Sequence, residues 1–291
     1  MYKTERFRSK NMSTLKSINE IRRIYNSLNE DFFESYYFSY NNNLLKKLIL
    51  LSNLNLLKYE NKVVGYIWYE KLEKRHFMIK CLSFTEVNHF VNGIYELIKC
   101  FKPNTVVSYY CEKNDFNFSN LEKLGFLKEQ GTFELIREIP SFDEFEIENN
   151  VTFEMFIKGV HESKRCEIQN DIFQSQSREP LTLEDINFDI EQDYYIENGA
   201  VFIKYNDEYI GYGQVIMDDG LPTIVNFGIV KNYRNKGYGN ILLKHIINLI
   251  YSMDYFKCKI KVYNENHNAI NLYINNGFKK TKEYYMWNYL T

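Results

Sequence analysis

The sequence contains one pattern twice, and a chain that repeats itself folds as two copies of a unit rather than around one large core. Lys58-Tyr59-Glu60-Asn61-Lys62-Val63-Val64-Gly65-Tyr66 resembles Lys204-Tyr205-Asn206-Asp207-Glu208-Tyr209-Ile210-Gly211-Tyr212, at an offset of 146 (204 − 58). In each copy a strand ends, a polar pair follows, and a second strand starts before a glycine, which is the pattern of a β-hairpin. Further on, Asn120-Leu121-Glu122-Lys123-Leu124-Gly125-Phe126 parallels Leu272-Tyr273-Ile274-Asn275-Asn276-Gly277-Phe278, at an offset of 152 (277 − 125). The same order at nearly the same spacing sets aside coincidence between Lys-, Tyr- and Asn-rich segments. The six-residue difference is of the size that a loop insertion brings.

Periodicity then places the elements. In the first copy, helices are expected at 17–28 and 41–51, and strands at 54–59, 63–70 and 77–82. A helix at 87–101, a strand at 105–111, a short helix at 118–123 and a strand at 132–137 follow. The stretch from Glu138 to Asn150, with Pro140 and many acids, reads as a linker. In the second copy, helices are expected at 152–163 and 183–188, and strands at 200–205, 209–217 and 223–230. A helix at 238–253, a strand at 257–263, a short helix and a final strand pair close it. Both halves are mixed α/β (α+β), with a mostly antiparallel sheet flanked by helices. The expected domains are 1–139 and 140–291.

Composition excludes several classes. With 45% hydrophobic and 25% charged residues among 291, the chain is globular. The 25 Tyr and 22 Phe supply large apolar areas for burial, and the shared AT-rich codons of Lys, Asn, Ile, Tyr and Phe account for much of that excess. Net charge is −2 with no sustained basic face, so no nucleic-acid partner is expected. Cys81, Cys100, Cys111, Cys166 and Cys258 are odd in number and lack C-x-x-C spacing, so neither a metal site nor a disulfide framework is expected. His161, His245 and His267 have no ligand spacing among themselves either. The polar N-terminus has no signal-peptide core, and no apolar run approaches the roughly 20 residues of a membrane span. The expected location is the cytoplasm, with no membrane partner.

The chemistry concentrates in Asn226-Phe227-Gly228-Ile229-Val230-Lys231-Asn232-Tyr233-Arg234-Asn235-Lys236-Gly237-Tyr238-Gly239. An apolar strand runs into a short loop with two glycines, and an amphipathic helix carrying Ile241, Leu242, Ile246, Leu249 and Ile250 follows at once. The first turn of a helix has unpaired N–H groups and a positive dipole end. Glycines without Cβ atoms let those donors approach phosphate oxygens, and Arg234 and Lys236 add positive charge. Two glycines alone would fit an ordinary strand-to-helix turn; the register of strand, Arg-x-x-Gly-x-Gly and helix favours an anion. The loop matches neither G-x-G-x-x-G nor G-x-x-x-x-G-K-[ST].

Arg234-x-x-Gly237-x-Gly239 resembles the [QR]-x-x-G-x-[GA] motif of the GNAT superfamily of N-acetyltransferases. The run from Asn266 to Phe278, with Ala269, Leu272, Tyr273 and Gly277, resembles that family's N-x-x-A-x-x-L-Y-x-x-x-G-F motif. The two motifs span about 50 residues of the second half. The resemblance implies two tandem GNAT-like domains, with acetyl-CoA as cosubstrate and no metal. It implies that Arg234, Asn235, Lys236, Gly237, Tyr238 and Gly239 hold the pyrophosphate. It further implies that open backbone groups at Phe227, Ile229 and Val230 bind the pantetheine arm, on a strand that splays from its neighbour. Asn266 would contact pantetheine, although helix capping alone explains an Asn there. Tyr273 would be the general acid that protonates the leaving thiolate; a core tyrosine on a short helix is the plainer role.

Many relatives carry a Glu on the strand before the loop; here residues 223–228 contain no acid. Asp218, Asp219, Glu197 and Asp193 are nearest in the chain, and Asp218-Asp219-Gly220 reads as a turn, so no base is assigned. The first half departs from the family. Ser83-Phe84-Thr85-Glu86-Val87-Asn88 stands where the phosphate loop would, without a Gly pair or Arg, and Leu121 stands where Tyr273 stands. Asn114 still matches Asn266, and Gly125-Phe126 remain. That half is expected to have lost cofactor binding and to serve as structural partner and pocket wall. The expected function is acetyl transfer to a primary amine of a small molecule or peptide, by direct attack in a ternary complex, in a monomer or homodimer. The alternative is a non-catalytic acyl-CoA-binding sensor or scaffold.

Overall fold

The structure is a computed structural model that describes residues 1–7, 13, 51–175 and 178–291. The expected helix at 17–28, and that at 41–51 save for Leu51, lie outside the described residues. The chain divides into two compact units: Met1–Thr132 with Lys282–Thr291, and Phe133–Thr281.

The first unit holds β1 (Tyr2–Arg6), β2 (Leu54–Tyr59), β3 (Lys62–Glu73), β4 (His76–Phe84), α1 (Val87–Ile98), β5 (Val106–Glu112) and α2 (Asp115–Lys123). Its strands run in the order β1-β2-β3-β4-β5, and β5 is followed by β12 (Lys279–Leu290), the last strand of the chain. All pairs but the parallel β4–β5 are antiparallel. The core forms where the apolar runs of β2–β5 meet α1: Leu57, Ile67, Phe84, Ile94, Leu97, Val107, Leu121 and Trp287 are all buried.

The second unit begins within β6 (Leu127–Glu138) and holds β7 (Val151–Met155), α3 (Glu162–Ile172), α4 (Leu183–Ile190), β8 (Tyr195–Tyr205), β9 (Glu208–Asp218), β10 (Leu221–Ile229), α5 (Tyr238–Ser252), β11 (Lys257–Tyr263) and α6 (His267–Asn275). Its strand order is β7-β8-β9-β10-β11-β6, the same plan as the first unit. A near-continuous apolar run marks a strand covered on both faces; β9 is buried from Ile210 to Val215. On one face lies α5, whose Leu242, Leu243, Ile246, Ile247 and Ile250 recur at helical spacing and are fully buried. On the other lies α3, whose Ile172 meets the bare backbone of Gly228.

The repeat is present at atomic detail. The hairpin turns Glu60-Asn61 and Asn206-Asp207 have φ of 49° and 65° against 49° and 64°, both residues left-handed in each copy as a tight two-residue turn requires. Gly65 and Gly211 occupy matching close approaches, where a Cβ would lie 2.8 Å from the Ser83 carbonyl and 2.7 Å from the Gly228 carbonyl. The six-residue difference in offset has a location: two residues separate β4 from α1, whereas eight separate β10 from α5. The insertion is the glycine-bearing loop itself.

Several expectations are corrected. Most of the helix expected at 152–163 is absent: Val151, Phe153 and Met155 alternate along β7, paired with β8 from Val151↔Tyr205 to Met155↔Val201, and α3 starts only at Glu162. Gly159, at φ 83°, lies in the turn between them. The closing strand pair is the single strand β12, which carries no Gly or Pro to turn it. The polar start of the chain holds β1, an edge strand on β2. The expected 139/140 boundary follows the sequence, but the last ten residues pack with the first unit: Tyr284 to Leu290 pair with β5. The linker is irregular yet pinned, since Arg137 pairs with Asp143 and Asn248 bonds to the Asp143 carbonyl at 2.9 Å.

Candidate active site

The loop after β10 turns through a short 3₁₀ segment, Lys231–Tyr233, and enters α5 at Gly237. Gly237 has φ 89°, and space beside it is open. A residue with a Cβ is strained at that φ. The N–H groups of Asn235, Lys236, Gly237, Tyr238 and Gly239 find no acceptor among the described residues, whereas those of Asn240 and Ile241 bond to the Gly237 carbonyl. Consecutive free donors at a helix start, with the positive dipole end behind them, form an anion seat. Arg234 braces this loop from inside. Its Nε donates to the Ile229 carbonyl at 2.9 Å and its Nη2 to the Ile172 carbonyl at 2.6 Å, so it ties β10 to α3 and is not a free cation. Lys236 stands over the Tyr233 ring at 5.0 Å.

The strand beside the loop is open. β10 and β11 pair in parallel only at Thr223↔Lys259 and Ile224↔Ile260, and then part. A bulge interrupts β10 against β9 between Val225 and Gly228, so that Asn226 and Phe227 stand opposite Gly213 alone. Asn226 takes φ 52° there. The edge of β10 away from β9 is thus without a strand partner at Phe227 and Ile229, although Arg234 takes the Ile229 carbonyl. Val230 is a correction: its N–H donates to the Ile210 carbonyl and its carbonyl accepts from Tyr233, which engages both groups. Since the Val230 N–H points toward β9, alternation turns the Ile229 N–H to the open side.

α6 closes the other wall. Asn266 caps it, accepting from the Ala269 N–H at 3.2 Å. Tyr273 is buried, with its ring 6.1 Å from Phe227 and 5.9 Å from Phe278. Burial pushes its phenol well above the ordinary tyrosine value, so it stays protonated at neutral pH. The seat is tied to α6 by Asn276, whose Nδ2 donates to Asn240 Oδ1 and to the Leu272 carbonyl, both at 2.8 Å.

A buried polar cluster behind the bulge was not legible in the sequence. Arg165 and Gln169 lie on the inner face of α3, each about 1% exposed. Arg165 is flanked by the rings of Phe156 and Tyr212 and donates to Asp189 Oδ2 at 2.5 Å, while its Nε and Nη1 and Gln169 Nε2 have no partner. Asp189 also accepts from Tyr194 and from Gln214 Nε2, and Gln214 Oε1 accepts from Asn226 Nδ2 at 3.1 Å. Burial alone would raise the Asp189 carboxyl, but the Arg165, Tyr194 and Gln214 donors outweigh it and hold it below the usual range. The signal was there in part: Arg165, Ile168, Gln169 and Ile172 recur at helical spacing, once α3 is placed correctly.

The remaining candidates are occupied or remote. Asp218 Oδ2 pairs with Lys259 and Lys261 at 2.9 and 3.1 Å, and Asp219-Gly220 forms the expected turn, at φ 53° and 72°. Asp193 and Glu197 are exposed. His161 Nδ1 accepts from the Ile157 N–H, and His245 stacks on Phe153 at 3.7 Å, so both pack. Cys111 and Cys258 are buried thiols pushed up to about 12, which makes them poor nucleophiles. Among the described residues no group of three His, Cys, Asp or Glu could hold a metal ion, and no helix is long and apolar enough to cross a membrane.

Comparison with known proteins agrees with this geometry. Residues 166–278 match the model of the Acetyltransferase (GNAT) family. None of the curated proteins matches the sequence. Among solved structures, a GCN5-related N-acetyltransferase from Sphaerobacter thermophilus is similar over 99% of this chain and 95% of its own, at 13% identity and a TM-score of 0.71. A GNAT-family acetyltransferase from Colwellia psychrerythraea is similar over 99% of each chain, at 7% identity and a TM-score of 0.58. A tandem GNAT protein from the clavulanic acid biosynthesis pathway is similar over 81% of this chain and 82% of its own, at 7% identity and a TM-score of 0.56. At such identities the likeness is one of fold.

Proposed function

We propose that the GNAT domain at residues 166–278 binds acetyl-CoA and transfers its acetyl group to a primary amine of a small molecule or peptide, by direct attack. The observation that carries this reading is the row of unpartnered N–H groups from Asn235 to Gly239, set beside a strand edge with no strand partner at Phe227 and Ile229, where Arg234 takes only the Ile229 carbonyl. A pyrophosphate fits the first, and an extended amide-bearing arm fits the second. Asn266, which caps α6, would contact the same arm.

Acetyl-CoA supplies the thioester carbonyl. A backbone N–H at the β10 bulge is positioned to polarise that carbonyl. The C–N bond forms as the C–S bond breaks, the thiolate takes the proton of Tyr273 Oη, and solvent returns a proton to the tyrosinate. The amine nitrogen loses its proton to water, since no acid on β10 is available for it. The desolvation that raises the Tyr273 phenol also raises a thiolate beside it, so the transfer stays matched.

Calorimetry with acetyl-CoA, followed by thiol release with a panel of primary amines, tests the reading. One tight site per chain with thiol release is expected. Binding without thiol release from any amine would leave the sensor reading, which the paired state of Asp218 and Asp189 favours. No binding at all would overturn both.

A further inference from the structure

The polar cluster behind the β10 bulge has a direction, and the direction is fixed by chemistry. An ionised carboxylate only accepts hydrogen bonds. Asp189 is held ionised by buried Arg165, so the edge of the Gln214 amide that faces it, 3.1 Å away, is the NH₂ group. Gln214 is fully buried and cannot turn over without losing that bond. Its oxygen therefore faces Asn226, which must offer its own NH₂ group, at 3.1 Å. Each amide orients the next, and the last atom of the chain is Asn226 Oδ1. That oxygen has no partner among the described residues and is not among the enclosed unsatisfied atoms. Asn226 sits at the bulge of β10, where the strand lacks a full partner on either side.

Resting on the acyl-transfer reading, we infer that the Arg165–Asp189–Gln214 chain presents Asn226 Oδ1 as a hydrogen-bond acceptor for the incoming amine's N–H, so that Asn226 selects acceptors that bring an N–H to the thioester. Asn226 touches the acceptor; Gln214 and Asp189 are positioning residues. An amide oxygen cannot take the amine's proton. It holds one N–H and thereby aims the lone pair, while a second proton leaves to water. Secondary amines keep one N–H before attack, whereas tertiary amines have none. A hydroxyl, like a secondary amine, has a single proton, which cannot be both held by Asn226 and lost to water, so the site favours primary amines.

The test needs no knowledge of the natural acceptor. The probe is CoA joined through sulfur to the acetamide of propylamine, which places an N–H where the attacking amine stands. Its N-methyl counterpart has no N–H. Affinities by calorimetry are referred to CoA alone on the same protein. The wild type is expected to prefer the N–H form by about five- to tenfold, the worth of one hydrogen bond. In Asn226→Gly, which keeps the left-handed backbone accessible, and in Gln214→Leu, which removes only the orienting amide, the preference is expected to fall within about twofold. A preference that survives either substitution, or that is absent from the wild type while CoA binds, overturns the inference. Failure of CoA itself to bind the wild type overturns the acyl-transfer reading instead. A merely structural role would change both analogues together and leave their ratio intact.

Discussion

The two units share a strand plan, a hairpin turn and a glycine contact, yet only one has an anion seat. In the first, β4 hands over to α1 within two residues, and Glu86 stands at the helix start with no capping bond. In the second, eight residues intervene, and five successive N–H groups have no acceptor among the described residues. An acid at a helix start is itself stabilised by the dipole, so Glu86 fills electrostatically the place a phosphate would take. Further along, Leu121 is wholly buried where Tyr273 stands, and buried Trp68 stands where Gln214 stands on the matching strand. The sheet is thus indifferent to function. Among the described residues, a loop of six extra residues and one side chain on a short helix mark the second unit as the candidate site.

The largest expected effect breaks the first unit. Removing residues 282–291 takes away the strand that pairs with β5 over seven positions, together with Trp287, fully buried and 5.0 Å from Phe118. Loss of the Trp burial alone costs about 3–5 kcal/mol. Hydrogen exchange is expected to show β4, β5 and α1 unprotected in the truncated chain. Retained protection there would mean that the last strand is dispensable to the first unit.

Next comes the difference between the units itself. Gly237→Glu adds a side chain at φ 89° and a negative charge in the anion seat, and acetyl-CoA affinity is expected to fall by at least about 100-fold. The companion change, Glu86→Gly in the first unit, is expected to leave the calorimetric stoichiometry at one per chain. A second site appearing in that variant would show that the short loop was not what excluded the ligand.

Tyr273→Phe separates binding from chemistry. The hydroxyl has no partner among the described residues, so folding stability and acetyl-CoA affinity should hardly change, while turnover falls by about 100-fold or more if the phenol is the proton source. Stopped turnover with intact binding is the expected result from thiol release and calorimetry run side by side. Unchanged turnover would assign Tyr273 to packing alone.

Much of this was legible in the sequence. The repeat, the elements from β2 to α2 and the glycine-bearing strand-to-helix loop follow from local chemistry: paired polar turn residues, alternating apolar runs, and glycines at a helix start. The boundary was not. Nothing in the residues of β12 says that Tyr284–Leu290 pair with β5, because strand pairing is a non-local choice among similar edges. α3 was missed for a related reason. Its inner face carries Arg165 and Gln169, so the apolar stripe that marks a helix is broken where the polar cluster lies. Asn226 carries no signal either. An Asn at a bulge is common chemistry, and its orientation depends on Gln214 and Asp189, twelve and thirty-seven residues earlier.

The paired glycines sharpen the comparison of scaffolds. In Gly65→Ala and Gly211→Ala the new methyl would meet a backbone carbonyl at 2.8 and 2.7 Å, and a ring or Ile229 at 2.6 Å in both. Overpacking of this kind costs about 1–3 kcal/mol. The two variants are expected to lose similar stability in urea, with the loss confined to the unit that carries the change. Unequal losses would show that one copy has relaxed its strand spacing.

The smallest effect is an acid dependence expected of the second unit. Asp189 and Asp218 are both in the second unit; burial would raise each, but Arg165 with Tyr194 and Gln214, and Lys259 with Lys261, outweigh it and hold each below the usual range. A lowered folded value contributes stability that is complete above the unfolded value, about 3.9, and is lost as pH falls toward the folded one. Between about pH 5 and pH 3, amide exchange in β9, β10 and α4 is therefore expected to quicken, corrected for intrinsic rates, more than in β3 and β4. Equal quickening in both units would mean that the ion pairs around Asp189 and Asp218 contribute no more to folding than exposed pairs do, and Asp189 would then be too weakly held to orient Gln214.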